Sequence, residues 1–331
     1  MEQRVLGRTG ARISILGFGC GAVGGLMVRG APADQERAVA RALELGINYF
    51  DTAAAYGDGA SETNLGRVLA KLKPEIFLGT KFTVRPEDRG RIGEAIAASL
   101  ERSLQRLGRE QVDLLQLHNR IAPSGSDRPL DPATVLAEVV PALETLRRQG
   151  KLRFFGITGL GDTPALQRVV DARAFDTAQI CCNLLNPSAA RPVPAGFPAQ
   201  DFEGLLTRAR QAGMGTIGIR VLAGGALSGS EARHPIGMAS VAPIASGPDY
   251  CADVARSHRF ETLVKEGHAS SVVEAALRFV IASPALTTVL IGMSTLRELE
   301  TAAAAVGQGP LAATALDRLD GLWREMAQEK A

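Results

Sequence analysis

The sequence predicts an α/β fold, a (β/α)8 TIM barrel with an N-terminal β-hairpin and extra C-terminal helices. Three observations carry that expectation. Short apolar runs alternate with amphipathic helical stretches along the chain. Eight of these runs end near residues 19, 51, 81, 118, 158, 182, 221 and 292, the strand count of a closed barrel. The rival open doubly wound sheet lacks its G-x-G-x-x-G turn with an acid about 20 residues on. Gly17-Phe-Gly19-Cys-Gly21 comes nearest, but the residues after it do not read as a helix. No boundary is visible, so 1–331 reads as a single barrel domain.

Taken in order, residues 4–15 form two alternating runs about Arg8-Thr-Gly10, a hairpin closing the bottom of the fold. The run 13–19 leads to a helix over 34–45, and INYFD at 47–51 leads to one from Ser61, read as its N-cap, to Leu72. IFLGTK at 76–81 precedes a helix over 89–107. VDLLQLH at 112–118 precedes one over 131–148, started by Asp131-Pro132. LRFFGIT (152–158) is followed by a helix after Asp162-Thr-Pro164, and TAQICCN (177–183) by one over 202–212. After TIGIRVL (216–222) comes a connection of about thirty residues rich in Gly, Ala, Ser and Pro, a length usually tied to function or mobility. Helices follow over 252–265 and from Ser271, where Ser271 and Glu274 form a capping box. TTVLIG (287–292) is the last strand, followed by a helix over 296–305 and a C-terminal helix holding Trp323.

Composition narrows the class of function. Hydrophobic residues at 46% supply a large core, and 22% charged residues with a net charge of +2 are an ordinary soluble balance. No Lys/Arg-rich run points to nucleic acid. Cys20, Cys181, Cys182 and Cys251 show neither a CxxC nor a Cys/His metal spacing, which fits a reducing cytoplasm and no metal site. Ile13 to Val28 sits where a signal peptide would, but it holds five glycines and falls short of the roughly 20 apolar residues a span needs. It reads as a buried strand entering a glycine loop.

Chemistry in such barrels sits at the C-terminal strand ends. There the chain places Asp51, with Tyr56 in the loop after it, then Lys81 and His118 on the next two strands. Tyrosine and lysine are scarce here: only Tyr49, Tyr56 and Tyr250 occur, and Lys81 is one of six lysines. A phenol is a poor proton donor at neutral pH unless an adjacent ammonium stabilises its phenolate. Lys81 fits that role, Asp51 can hold Lys81 charged and oriented, and His118 can donate a hydrogen bond to a carbonyl oxygen. Each residue alone has a plainer reading as a turn cap, a loop tyrosine, a surface ion pair or a core histidine. A Schiff-base role for Lys81 is a further alternative. Their convergence on adjacent strand ends favours the functional reading.

At these residues the chain resembles the aldo-keto reductase family. The likeness is carried by LGRTG (6–10), FDTAAAYGDGASETNLG (50–66), GTKF (79–82) and VDLLQLHN (112–119), and extends more weakly to about residue 303. The resemblance implies NADPH lying over the barrel mouth and passing hydride to a carbonyl. It makes Tyr56 the proton donor, has Lys81 and Asp51 tune it, and has His118 orient the carbonyl. It also implies a cofactor surface of Gly21, Thr158, Gln179, Arg220, Leu222, Gly292, Ser294 and Arg297.

The cofactor half departs from the family pattern. Thr158-Gly159 stands where Ser-Asn usually holds the carboxamide, while Gln179 matches the family's glutamine. Ile219-Arg220 replaces an aromatic that stacks on nicotinamide; strand alternation lets one of the two face inward, and an inward guanidinium would stack on the ring or meet an anion. After Gly292, Ser294 matches and Arg297 supplies charge, but Glu298, Thr301 and Ala302 fill the other family positions. NADP is therefore expected, with NAD as the alternative, and the helix N-terminus offers amides for a phosphate. For substrate, Asn119 and Arg120 follow His118, and Met27 lies with Leu26 at the tip of an apolar loop over 22–30 that reads as flexible. Cys181 and Cys182 point to opposite faces and read as small core residues.

The leading expectation is an NADP(H)-dependent oxidoreductase that reduces an aldehyde or ketone, or oxidises the corresponding alcohol, acting on a small molecule without nucleic acid or membrane. A redox-sensing regulatory subunit and a redox-neutral lyase or isomerase built on the tetrad remain alternatives. Substrate identity, direction and oligomeric state stay open.

Overall fold

The computed structural model describes residues 1–123 and 130–328. Two short strands, β1 (Gln3–Val5) and β2 (Arg12–Ser14), pair antiparallel as the expected hairpin. The barrel follows: β3 (Leu16–Gly19), β4 (Tyr49–Asp51), β5 (Phe77–Phe82), β6 (Val112–Leu117), β7 (Leu152–Gly159), β8 (Thr177–Cys181), β9 (Gly215–Ile219) and β10 (Thr288–Gly292). All eight neighbours pair parallel, and β10 returns to β3 to close the ring. At that seam Gly19 lets the two backbones approach, since a Cβ there would lie 2.5 Å from the Ile291 carbonyl oxygen.

Period-two alternation builds the interior in two layers. At the N-terminal end Tyr49, Phe77, Leu114, Ile217 and Leu290 point inward and are plugged by Leu6 and Ile13 of the hairpin. Two or four residues further along the same inward faces come Asp51, Lys81, Gln116 and Thr158. The floor is thus apolar and the C-terminal mouth polar. Helices pack outside, several started by the expected caps: Asp131 accepts the Thr134 amide, Asp162 that of Ala165 and Ser271 that of Glu274. The helix after β6 passes through a π turn at Val135–Val139 just before Pro141, whose missing N–H leaves that turn open.

Several local readings need correction. The run 13–19 is not one strand; it divides between hairpin and barrel at Ile15. Ser61 does not cap its helix, which runs Ala60–Leu72 behind a left-handed Gly59. Its hydroxyl instead donates to the Cys20 carbonyl and shares a 2.9 Å bond with Thr52, tying two strand ends together. The Ser271 box is half formed, because Glu274 turns to Ser270 and Arg278. The loop over 22–30 is not an open apolar tip. It contains the helical turn Leu26–Arg29, and Leu26 and Met27 are buried core residues.

One buried contact fixes the helix Ala60–Leu72 to the strand that carries Lys81. Glu62, with no exposure at all, accepts from the Thr80 hydroxyl at 2.5 Å and from the Arg106 Nε at 2.7 Å. Glu62→Ala leaves a guanidinium and a hydroxyl without their partner and is expected to cost about 3–5 kcal/mol. Urea unfolding measures it; a stability within about 0.5 kcal/mol of wild type would show that the pair holds nothing in place.

Candidate active site

Tyr56 reaches the mouth on a loop that turns sharply after it. Gly57, Asp58 and Gly59 all lie at positive φ (62°, 51° and 90°), a sequence of left-handed residues for which glycine is suited. The Ser61 amide closes this turn on the Tyr56 carbonyl. On β5, Lys81 points inward beneath the phenol: its Nζ donates to Tyr56 Oη at 3.2 Å, to the Thr52 carbonyl at 2.8 Å and to Asp51 Oδ1. Lys81 and Asp51 are buried as an ion pair, with side chains 1% and 4% exposed.

The other oxygen of Asp51 is held by three neutral donors, two of which, Tyr49 and Gln116, the sequence reading did not place in the site. Tyr49 Oη donates at 2.9 Å, Gln116 Nε2 at 3.0 Å and Gln179 Nε2 at 2.8 Å. Their signal was present in the alternation, since Tyr49 and Gln116 share inward faces with Asp51 and His118. Gln179, expected at the carboxamide, commits its amide N–H to Asp51.

The charge states follow from burial and the ammonium. Burial lowers the Lys81 pKa, but Asp51 and Tyr56 outweigh it and leave it raised, so the amine stays charged. Burial raises the Tyr56 pKa and Asp51 adds to this; Lys81 pulls the other way without cancelling them. The expectation that Lys81 brings this phenol below its ordinary value is therefore corrected for the ground state: the hydroxyl keeps its proton. His118 stacks edge-on to Tyr56 with ring centroids 5.7 Å apart. Burial first, and Lys81 second, lower its pKa to about 3, so the imidazole is neutral. The arrangement offers a protonated phenol backed by a fixed ammonium, beside a neutral imidazole.

Two buried polar atoms at this level have no hydrogen-bond partner among the described residues, Thr158 Oγ1 and Gln116 Oε1. A buried oxygen without a partner is costly, and a ligand amide entering the mouth would satisfy Thr158. Gly21 faces the phenol, where a Cβ would stand 3.9 Å from Tyr56 Cζ, leaving a flat approach to the ring. These features fit a planar amide-bearing group such as nicotinamide. Gly159 cannot take the family's asparagine without movement, because a Cβ there meets the Gln179 carbonyl oxygen at 2.9 Å.

The remaining candidates divide. Ile219 is the inward residue on β9, yet Arg220 still turns to the mouth because the chain leaves the strand at φ 54°. Leu222 is half-buried and its carbonyl accepts from Gly225. Gly292 lies exposed on the rim. Ser294 donates its hydroxyl to the Gly24 carbonyl at 2.6 Å, pinning the loop after β3. At the helix Leu296–Gly307 the expected amide donors are partly used: Thr295 accepts the Glu298 amide, and Glu298 accepts the Ser294 amide just before the helix at 2.7 Å. Arg297 and Thr301 are exposed and Ala302 is core. Asn119 is not free for substrate, since its amide bridges both the N–H and the carbonyl of Val84. Met27 is buried away from the mouth, whereas Arg120 is exposed beside it. No group of residues suited to a metal ion occurs among the described residues, and no described helix is long and apolar enough to cross a membrane.

Comparison with known proteins agrees with this architecture. The sequence profile of the Aldo/keto reductase family matches residues 15–324. L-galactose dehydrogenase of Arabidopsis thaliana is 30% identical over 92% of this chain and 88% of its own. D-threo-aldose 1-dehydrogenase of a Pseudomonas species is 34% identical over 56% of this chain and 63% of its own. An aldo-keto reductase of Bacillus halodurans in its holo form superposes with a TM-score of 0.69 over 100% of this chain and 96% of its own, at 24% identity, a likeness of fold.

The neutral imidazole makes stability depend on acid. Because the folded pKa of His118 lies at about 3, below the ordinary value, the unfolded chain binds the proton first and stability falls as pH drops from about 6.5 toward 3. A loss of about 2.5–3 kcal/mol by pH 4.5 is expected from this group. Chemical unfolding across that range should show a shallower acid slope in His118→Asn; identical slopes would mean that His118 is not held neutral.

Proposed function

The chain belongs to the aldo/keto reductase family, and from that premise we propose that it interconverts a small aldehyde or ketone and its alcohol with Tyr56 as the proton-transferring group. The observation that carries this is the Lys81 ammonium, which joins Tyr56 Oη at 3.2 Å to the buried Asp51 carboxylate. Members of the family are typically NAD(P)H-dependent, and a bound nicotinamide supplies the hydride.

The chain's own residues then have separable tasks. Tyr56 holds a proton at the mouth and gives it to the oxygen that gains charge as the carbonyl is reduced. Lys81 does not acidify the resting phenol below its usual range; it stabilises the phenolate as the proton leaves, where the charge is worth most. Asp51, gripped by Tyr49, Gln116 and Gln179, keeps the ammonium from turning away. His118, neutral, donates a hydrogen bond to the same substrate oxygen and fixes its direction. Thr158 takes the carboxamide of the nucleotide, consistent with its orphaned hydroxyl.

The adenosine end is read as lying against the helix Leu296–Gly307. The expectation was NADP with NAD as the alternative. Glu298 inclines the reading to NAD(H), because its carboxylate already occupies the Ser294 amide and would repel a ribose phosphate.

Titration with NADH and NADPH, followed by a panel of small aldehydes, tests the reading. Tyr56→Phe is expected to lower kcat by roughly 10²–10⁴ while the nucleotide Kd stays within about twofold of wild type, a change smaller than one hydrogen bond; retained turnover would remove Tyr56 from the proposal. Since the Tyr56 pKa is raised above its ordinary value of about 10, reduction should be level across neutral pH and fall only in strong alkali, whereas alcohol oxidation should rise with pH. NADH should bind more tightly than NADPH, and Glu298→Gln should narrow that gap by roughly fivefold; a gap untouched by the substitution would place the phosphate elsewhere.

A further inference from the structure

Arg220 is placed at some expense of conformation and solvation, and no carboxylate among the described residues answers its charge. It occupies the left-handed region at φ 54°, where a non-glycine residue is strained. Two bonds hold it there: the buried Asn183 donates its Nδ2–H to the Arg220 carbonyl at 2.9 Å, and the Ala223 amide donates to the same oxygen at 2.8 Å. That turn directs the side chain back over the mouth. The guanidinium is half-buried, and its one hydrogen bond is a long 3.3 Å contact to the Ala242 carbonyl.

No carboxylate among the described residues pairs with it. The groups that act on it electrostatically are the Cys181 thiol, the Tyr56 hydroxyl and another cation, Arg233. Arg233 is itself committed to the carbonyls of Gly224 and Met238, so it bears on Arg220 by repulsion alone. Arg120, an exposed residue just past β6, also acts on the Cys181 thiol and is without an ion-pair partner among the described residues. Two arginines thus bear on one inward residue at the mouth, and Arg220 bears on the Tyr56 hydroxyl as well. A partly desolvated guanidinium left without a counter-ion is unfavourable, and a strained backbone that keeps it so marks a place where the counter-ion arrives from outside. Planar guanidinium forks match carboxylate and phosphate oxygens.

We propose that Arg220, assisted by Arg120, is the anion anchor of the substrate site, so that the carbonyl compound turned over carries its own carboxylate or phosphate group. This rests on the oxidoreductase reading above and narrows its substrate class. The anchor sets affinity and orientation. It takes no part in proton transfer, so its loss appears in KM before kcat.

Two measurements on the full chain saturated with NADH decide it. In calorimetric titration, benzoate should bind and its neutral isostere benzamide should not. Arg220→Gln should weaken benzoate at least tenfold, the scale of a charge-assisted hydrogen bond, with the NADH Kd within about twofold of wild type, below the loss of one hydrogen bond. In turnover, 4-carboxybenzaldehyde should exceed benzaldehyde in kcat/KM by roughly tenfold, mostly through KM, and Arg220→Gln should bring the pair to parity. Arg120→Gln, an exposed position, should move the same ratio roughly threefold and decides the matter if the Arg220 variant does not fold. Equal binding of benzoate and benzamide by the wild type overturns the proposal. So does an Arg220→Gln protein that loses NADH while keeping the anionic preference, which would assign the guanidinium to the nucleotide's pyrophosphate. If no aldehyde is turned over, the oxidoreductase reading fails, and the benzoate titration still tests the anchor.

Discussion

An ammonium and a carboxylate shut away from water inside a barrel would be ruinous to stability unless every remaining valence were met. Lys81 and Asp51 meet that condition. The amine has three acceptors, Asp51, the Thr52 carbonyl and Tyr56. The carboxylate adds Tyr49, Gln116 and Gln179 on its second oxygen. Strands β4, β5, β6 and β8 each contribute to this knot, so the barrel's polar layer is largely the surrounding of one ion pair. The consequences reach the neighbours: burial, with the ammonium adding to it, keeps the His118 imidazole neutral, and the same ammonium beneath Tyr56 awaits the phenolate.

Around the pair, the loops at the mouth are tied down by polar contacts in addition to the apolar packing of residues such as Leu26 and Met27. Ser61, Thr52 and the Cys20 carbonyl join the ends of β3 and β4 to the helix that follows. Ser294 fastens the loop after β3 to the far side of the seam. Arg233 ties the long connection after β9 to itself through the Gly224 and Met238 carbonyls and reaches the Val23 carbonyl in the loop after β3. Rigid loops on a closed barrel keep a proton donor and a hydrogen-bond donor in register, which oriented catalysis demands.

The mouth is also uneven in charge. On one side the helix Leu296–Gly307 has its Glu298 amide capped by Thr295 and a carboxylate, Glu298, in its first turn, so its positive end is partly answered. On the other side Arg220 and Arg120 have no carboxylate partner among the described residues. The proposed anion anchor follows from that difference in charge between the two sides.

Strand order, hairpin, helix starts and the grouping of Asp51, Tyr56, Lys81 and His118 were legible in the sequence. They depend on local periodicity and on the rule that consecutive strands are neighbours, both properties of order along the chain. The partners of Asp51 were not legible in the same way: Gln179 lies 128 positions away, and only barrel closure brings β8 within reach. The expected exposure of Met27 and Asn119 failed because burial of a loop depends on what covers it, and the expected cap at Ser61 failed because a distant carbonyl competed for the same hydroxyl. Glu298 and Arg220 show the division most plainly. Sequence alone determined that an acid and a base stand at these two strand ends. Whether each charge is answered was decided only in three dimensions, since hydrogen bonds and desolvation act over a few ångströms and are blind to distance along the chain.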